Sequence, residues 1–184
     1  MDAEELLRRY AAGERDFTGV TLERVRLKDV NLRESILTHA NLYGARLNGA
    51  NLRDARLDSA NLGRAQLEGA DLTNANLAGA CLNEANLTGA DLKAANLRGA
   101  DLREAALNNT DLRNADLSHT LLHQAGLDSA DLRNADLIEA QLYDATLNNA
   151  DLRGADLTGA NLTGANLTNA NLEDAILMVA ESIS

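Results

Sequence analysis

The sequence has no proline, no tryptophan and almost no other aromatic residues, although 45% of its 184 residues are hydrophobic. Aromatic side chains make up only 2% of the chain, so the apolar share is almost entirely Leu and Ala. A disordered chain would contain less Leu and more Pro. The single cysteine, Cys81, excludes a disulfide-stabilised scaffold. Any core must therefore be packed with Leu and Ala alone.

Long apolar runs are also missing from the sequence. The longest run, residues 175–180, is far shorter than the ~18–20 residues of a membrane span. The first residues are acidic and lack the apolar stretch of a signal peptide. We therefore expect a protein of a reduced compartment, the cytoplasm, that does not contact a membrane.

Positive charge is scarce in the later part of the chain. The net charge is −11, and it is divided into +1 for residues 1–64 and −12 for residues 65–184. Because binding to phosphates requires a basic surface, no direct binding of nucleic acid is expected. A basic protein surface remains a suitable partner.

The dominant feature of the sequence is a repeat of five residues. Leucine occupies every fifth position from Leu22 to Leu177 without insertion or deletion, and Phe17 stands one step earlier. We call this position i. Position i−2 is nearly always Ala from Ala40 to Ala175, position i−1 is mostly Asn or Asp, and positions i+1 and i+2 are mostly polar. A period of five fits neither a helical stripe nor a flat strand.

The pattern within one unit predicts a coil with flat sides. Apolar residues at i−2 and i, with a polar residue between them, indicate a short extended segment whose i−2 and i side chains face inward. The two polar residues that follow mark a corner, where Gly, Asn and Asp suit position i+2. Six basic residues at i+1 share one phase of a 20-residue period, which favours four units per coil: Arg33, Arg53, Lys93, Arg113, Arg133 and Arg153.

The chain resembles the pentapeptide-repeat family, whose motif Ala-(Asp/Asn)-Leu-X-X it matches from Asp16 to Ala180, and within it the Leu-rich kind found in cyanobacteria. The resemblance implies an all-β solenoid, a right-handed quadrilateral parallel β-helix of about eight coils. We expect one domain, with an N-terminal capping helix at 1–14, the β-helix at 15–180 and a C-terminal tail at 181–184. Four apolar residues are expected to cover the last coil or to form a dimer contact: Ile176, Met178, Val179 and Ile183.

Three groups of outward residues are candidates for recognition. The charged ladder pairs carboxylates at i−1 with basic residues at i+1, and its plainest interpretation is a solvated salt-bridged face; it centres on Asp111, Asp131, Asp151, Arg113, Arg133 and Arg153. The acidic column consists of Asp116, Asp136 and Asp156, with Glu139 beside them. The apolar patch consists of Leu121, His123, Ile138 and Tyr143.

Nothing in the sequence predicts catalysis, a metal site or a cofactor. The histidines lack Cys or carboxylate partners at informative spacing, and Cys81 is a surface thiol at an i−1 position. We predict a non-enzymatic structural or protein-interaction scaffold, monomeric or a C-terminal homodimer, whose rigid charged faces bind an unidentified protein. The alternative is an acidic DNA mimic that binds a DNA gyrase-type topoisomerase, as some relatives do. Those relatives tend to carry Phe at position i and loops between coils, both of which this chain lacks apart from Phe17.

Overall fold

The computed structural model describes residues 1–178, and one helix, α1, spans Ala3–Ala11. Beyond α1, the described chain pairs through isolated parallel β-bridges of single residues rather than through longer strands. Each bridge joins the i−1 residue of one unit to the residue 20 positions later, from Asp16–Ile36 to Asp156–Ile176. The ladder therefore repeats every 20 residues, which is the period that the basic residues indicate.

The interior of the coil is filled by the two apolar positions of the repeat. Every Leu from Leu22 to Leu162 is at most 2% exposed, as is every Ala at i−2 from Ala40 to Ala160. The inward orientation predicted for both positions is confirmed. Thr110 and Thr120, which replace Ala at i−2, are also buried, and each hydroxyl donates to the carbonyl three residues earlier, at 2.6 and 2.7 Å.

Each flat side is held to the next coil by backbone hydrogen bonds. At a central unit, the amide of Leu97 donates to the carbonyl of Asp116 at 2.7 Å, and that of Gly99 donates to Ser118 at 2.9 Å. The corner is closed by the amide of Ala100, which donates to the carbonyl of Leu97 at 2.9 Å. Because most amides of the repeat act as donors, a proline would delete one of these bonds, which accounts for its absence.

The corners within the described residues adopt the same left-handed backbone conformation. The i+2 residue has a positive φ at every unit from Gly19 to Asp174, although most of these residues are not Gly. Glu84 and Ala94, for example, have φ values of 56° and 55°. This conformation costs a non-glycine residue about 1–2 kcal/mol. The backbone hydrogen bonds between coils and across each corner must therefore offset this cost.

Helix α1 packs its apolar face on the first coil. The carboxylate of Asp2 accepts a hydrogen bond from the amide of Glu5 at 2.8 Å and caps the helix. Leu6 is fully buried in the same apolar cluster as Phe17, and the Tyr10 hydroxyl donates to the carbonyl of Arg33 at 2.9 Å. No helix within the described residues is long and apolar enough to cross a membrane.

The described chain ends on apolar residues that lie outside the core. Ile176, Leu177 and Met178 are 43%, 40% and 65% exposed, whereas the leucines of the inner coils are buried. Val179 and Ile183, the other two residues expected to form a cap or dimer contact, lie outside the described residues, as does the predicted tail. The predicted domain boundaries at residues 14 and 180 remain predictions.

Candidate functional site

The outer faces are organised by the Asn or Asp side chain at position i−1. Its Oδ1 atom accepts a hydrogen bond from the backbone amide two residues later, an Asx turn, as in Asn96 with Arg98 at 3.0 Å and Asp91 with Lys93 at 3.0 Å. This amide faces outward at the corner, and the side chain gives it a partner. The preference for Asn and Asp therefore arises from the backbone, and sequence reasoning noted the preference without this cause.

The charged ladder is a continuous chain of ion pairs along one side. Arg113 forms hydrogen bonds with both carboxylate oxygens of Asp111, and its Nε also lies 3.6 Å from Asp131 in the next coil. Arg133 repeats this arrangement, with hydrogen bonds of 2.8 and 2.6 Å to Asp131 and 3.6 Å to Asp151. Each guanidinium thus lies between two carboxylates, which offsets the repulsion of stacked like charges.

The ladder shifts the pKa values of its members. Hydrogen bonds from Arg113 and Arg153 hold the pKa values of Asp111 and Asp151 below their usual range, although partial burial opposes the shift. The same bonds raise the pKa values of the two guanidinium groups. These four groups are therefore ionised at neutral pH, and this part of the ladder presents alternating charge rather than a single sign.

The acidic column has no basic partner in the described structure. Asp116 accepts hydrogen bonds from the amide and hydroxyl of Ser118, at 2.9 and 2.6 Å, and Asp136 and Asp156 accept from the amides of Ile138 and Thr158 at 2.9 Å. Within residues 1–178, no Arg or Lys lies within 4.0 Å of these three carboxylates: Arg113, Arg133 and Arg153 pair with the charged ladder, and Arg98 donates to the Ser118 hydroxyl at 3.1 Å rather than to Asp116. Beside the column, Nδ1 of His119 lies 3.1 Å from Oε2 of Glu139.

The apolar patch is only partly assembled. The rings of His123 and Tyr143 meet edge to face, with centroids 6.2 Å apart, and Tyr143 is 44% exposed. Leu121 is half-buried on the same side, bridged to the coils before and after it. Ile138 is half-buried at the preceding corner. The structure therefore joins two of the four residues in direct contact and places the other two nearby.

No group of three metal-ligating residues occurs among residues 1–178. Cys81 is half-buried and its Sγ lies 2.9 Å from Oδ1 of Asn83. His119 and His123 are close in sequence but contact different side chains. His119 contacts Glu139, and His123 contacts Tyr143.

Sequence reasoning missed one group of basic residues in the first coils. Four arginines border a surface depression around Tyr43 and Gly44: Arg24, Arg26, Arg46 and Arg64. The signal was present in the sequence, because Arg26 and Arg46 are 20 residues apart and both replace the usual Asn or Asp at i−1.

Comparison with known proteins gives consistent results. A family model described as pentapeptide repeats matches eight copies, over residues 16–54, 50–89, 85–124, 115–154 and 140–177. HetL, a pentapeptide repeat protein involved in heterocyst differentiation regulation in the cyanobacterium Nostoc sp. strain PCC 7120, is 34% identical over 100% of both chains, with a TM-score of 0.63.

Two further solved structures are similar over less of the chain or at lower identity. A pentapeptide repeat protein of the Arabidopsis thaliana thylakoid lumen is 28% identical over 53% of this chain and 68% of its own, with a TM-score of 0.52. QnrB1, a plasmid-mediated fluoroquinolone resistance protein, is 20% identical over 85% of this chain and 88% of its own, with a TM-score of 0.51, and shows likeness of fold alone. No curated protein sequence matches the chain.

Proposed function

Because the chain belongs to the pentapeptide-repeat family, whose solved members are right-handed quadrilateral β-helices, we propose that it is a non-enzymatic scaffold that presents rigid faces to a protein partner. The main observation in support of this proposal is that side chains fill the interior of the coils. Leu and Ala occupy the interior at 2% exposure or less, which leaves no room for a substrate inside the coils. Recognition must then use the outer faces.

The outer faces have the regularity that a docking surface needs. Ladder hydrogen bonds fix the backbone of each coil relative to the next, and Asx turns hold the Asn and Asp side chains at i−1, as at Asp116 and Asp136. Because this surface is already ordered, binding of a partner would cost little additional conformational entropy. We place the partner contact on the apolar patch together with the acidic column, because Tyr143 is 44% exposed and the carboxylates of the column have no Arg or Lys within 4.0 Å in the described residues.

The proposal includes the ends of the rod and its location. We assign α1 as a cap on the first coil of an array of about eight coils, since solenoid ends need protection. The exposed Ile176 and Met178, with Val179 and Ile183, would form either a second cap or a homodimer contact. We place the protein in the cytoplasm, bound to a protein rather than to nucleic acid or a membrane.

A pull-down from the native lysate with two variants tests the scaffold proposal. The first variant replaces the apolar patch with alanine at all four positions. The second carries Asp116→Asn, Asp136→Asn and Asp156→Asn, which keep the Oδ1 acceptors of the Asx turns and remove only charge. We expect a partner that the native protein captures to be lost with at least one of these variants.

A control variant on another side, Glu68→Ala with Thr88→Ala, should capture the same partner as the native protein. All variants should melt within a few degrees of the native protein, because none replaces an inward residue. Equal capture by the native protein and by both test variants would contradict the proposed surface.

A second candidate function is that of an acidic DNA mimic that binds a DNA gyrase-type topoisomerase. The acidic column favours it, because its carboxylates repeat once per coil without a basic partner within 4.0 Å in the described residues. The charged ladder on the adjoining side opposes it, because its arginines alternate with carboxylates. A supercoiling assay with purified gyrase separates the two functions, since a scaffold without mimicry leaves supercoiling unchanged even at high protein concentration.

A further inference from the structure

The first coils contain a basic pocket in an otherwise acidic molecule. The depression bordered by Arg24, Arg26, Arg46 and Arg64 has Tyr43 and Gly44 in its lining. All four arginines are exposed, whereas Tyr43 and Gly44 are half-buried. We call this group the arginine pocket.

Two of the arginines are stacked without compensation. Arg26 and Arg46 are bridge partners in adjacent coils, and the amide of Arg46 donates to the carbonyl of Val25 at 2.8 Å. The two side chains, which carry like charges, therefore start from backbone positions that are ~4.8 Å apart, the spacing of neighbouring strands. Within residues 1–178, no carboxylate lies within 4.0 Å of either guanidinium, and the ion pairs of this region involve Arg24 and Arg64 instead. Unlike the charged ladder, this stack lacks the alternating carboxylates that would offset repulsion.

The other two arginines border the same depression from the adjoining corner. Arg24 lies 3.9 Å from Glu23 in a largely exposed pair, and Arg64 forms two hydrogen bonds with Glu84, at 2.9 and 3.0 Å. Gly44 occupies the position between Arg24 and Arg64 in successive coils. A Cβ at Gly44 would lie 3.2 Å from Cγ of Arg24, so the glycine keeps the pocket open between the two side chains.

We propose that the arginine pocket binds a phosphate monoester. Guanidinium groups bind phosphate oxygens with paired hydrogen bonds, and one phosphate carries close to two negative charges at neutral pH. That charge matches the two uncompensated arginines, Arg26 and Arg46. Residues 65–184 carry a net charge of −12, and this negative charge disfavours long polyanions, which leaves a compact anion as the fitting ligand. This site goes beyond the scaffold proposal, and it stands whether or not an outer face binds a protein.

A phosphate monoester could come from a phosphorylated protein side chain or from a soluble metabolite, and the titrations distinguish the two. The ¹⁵N-labelled protein is titrated with a phosphoserine peptide, with a nucleoside monophosphate, with inorganic phosphate and, at equal ionic strength, with acetate. We expect saturable shifts of the Tyr43 and Gly44 amide signals with at least one of the two monoesters and no saturable shift with acetate. The monoester that binds more tightly identifies the source of the phosphate.

The variant Arg26→Gln with Arg46→Gln should weaken the phosphate affinity at least tenfold. The matched control, Arg8→Gln with Arg56→Gln, makes the same change of net charge outside the pocket and should retain the native affinity within about twofold. Circular dichroism should show that both variants keep the native fold, since all four side chains are exposed. Shifts that do not saturate, that are equal with acetate, or that persist in the Arg26 and Arg46 variant would overturn the proposal.

Discussion

The residue types at several positions of the repeat reflect hydrogen bonding to the backbone as much as packing of the core. At most units, an Asn or Asp before the Leu provides an acceptor for the corner amide, as Asn96 does for Arg98. Where the unit has Gly126 instead, the amide of Asp128 is bound by Oδ1 of Asn108 from the preceding coil, at 2.9 Å. The fold thus satisfies the same donor by a different route, which is expected because an unpaired amide is costly.

Ser35 is an exception, because its buried polar group is not hydrogen-bonded. It occupies an inward i−2 position with no exposed surface, and its hydroxyl has no hydrogen-bond partner. Ser35→Ala should therefore raise the free energy of unfolding by about 1 kcal/mol and the melting temperature by about 2–4 °C. Thr120→Ala is the control, since its hydroxyl donates to Leu117 and its removal should destabilise the protein. A lower melting temperature for Ser35→Ala would contradict this account.

Ala94 tests the cost of the left-handed corner. Its φ of 55° disfavours any side chain with a Cβ, whereas glycine adopts this conformation freely. Ala94→Gly should stabilise the protein by about 0.5 kcal/mol, because the relief of strain exceeds the extra entropy of glycine in the unfolded chain. Ala95→Gly, one residue later at a buried i−2 position, should destabilise it. Chemical denaturation of both variants measures this difference in sign.

At the scale of the repeating element, the sequence predicts most of what the structure shows. The spacing of Leu22, Leu27 and their successors predicts the inward register, and the 20-residue phase of the basic residues predicts the ladder partners. Left-handed corners at residues such as Glu84 are less predictable, because they depend on hydrogen bonds between coils rather than on local preference. The links from Arg113 to Asp131 depend on side-chain conformation in two coils, which no single unit specifies.

Leu97 tests the packing of one element against its neighbours. It has no exposed surface, so Leu97→Ala should cost about 2–5 kcal/mol by creating a cavity. Leu97→Lys should cost more by burying a charge and should abolish cooperative thermal unfolding. The exposed neighbour Arg98 serves as the control, since Arg98→Lys should leave the melting curve unchanged. An unchanged melting temperature for Leu97→Lys would refute the inward register.

The charged ladder should make stability depend on pH. Because the folded pKa values of Asp111 and Asp151 are lowered, their contribution is present above the unfolded pKa of about 3.9 and is lost as the pH falls through the folded values. Asp111→Asn with Asp151→Asn keeps the Asx acceptors and removes the ion pairs. This variant should lose less stability than the native protein between pH 5 and 2. Asp29→Asn, in a mostly exposed pair with Lys28, should follow the native pH profile.

At the scale of the whole molecule, the two described ends differ. Leu6 connects α1 to the buried cluster of the coils, whereas Leu177 at the other end is 40% exposed. The candidate recognition surfaces could be predicted only in part, because residues such as Leu121 and Ile138 depart from the repeat without specifying what binds them. The repeat makes the fold easy to predict, whereas residues that depart from the repeat are only candidates for recognition.

Leu6 tests whether α1 protects the first coil. Leu6→Asp should detach the helix, because it would bury a charge against Phe17 and its neighbours. The unpaired first coil should then associate with other copies. Size-exclusion chromatography with light scattering should show an increase in mass with concentration beyond that of the native protein. Arg8→Asp, an exposed position of the same helix, should behave as the native protein does.

Because β-bridges pair residues 20 positions apart, the β-helix could gain or lose whole coils without any change at its two ends. Duplication of 20 residues would add one coil, lengthen the rod by about 4.8 Å and leave every later side facing the same direction. Duplication of a single unit of five would instead rotate all later sides by a quarter turn, so that the acidic column would continue on a different face. Gene duplications in multiples of four units therefore preserve a binding surface, and other multiples create a new one.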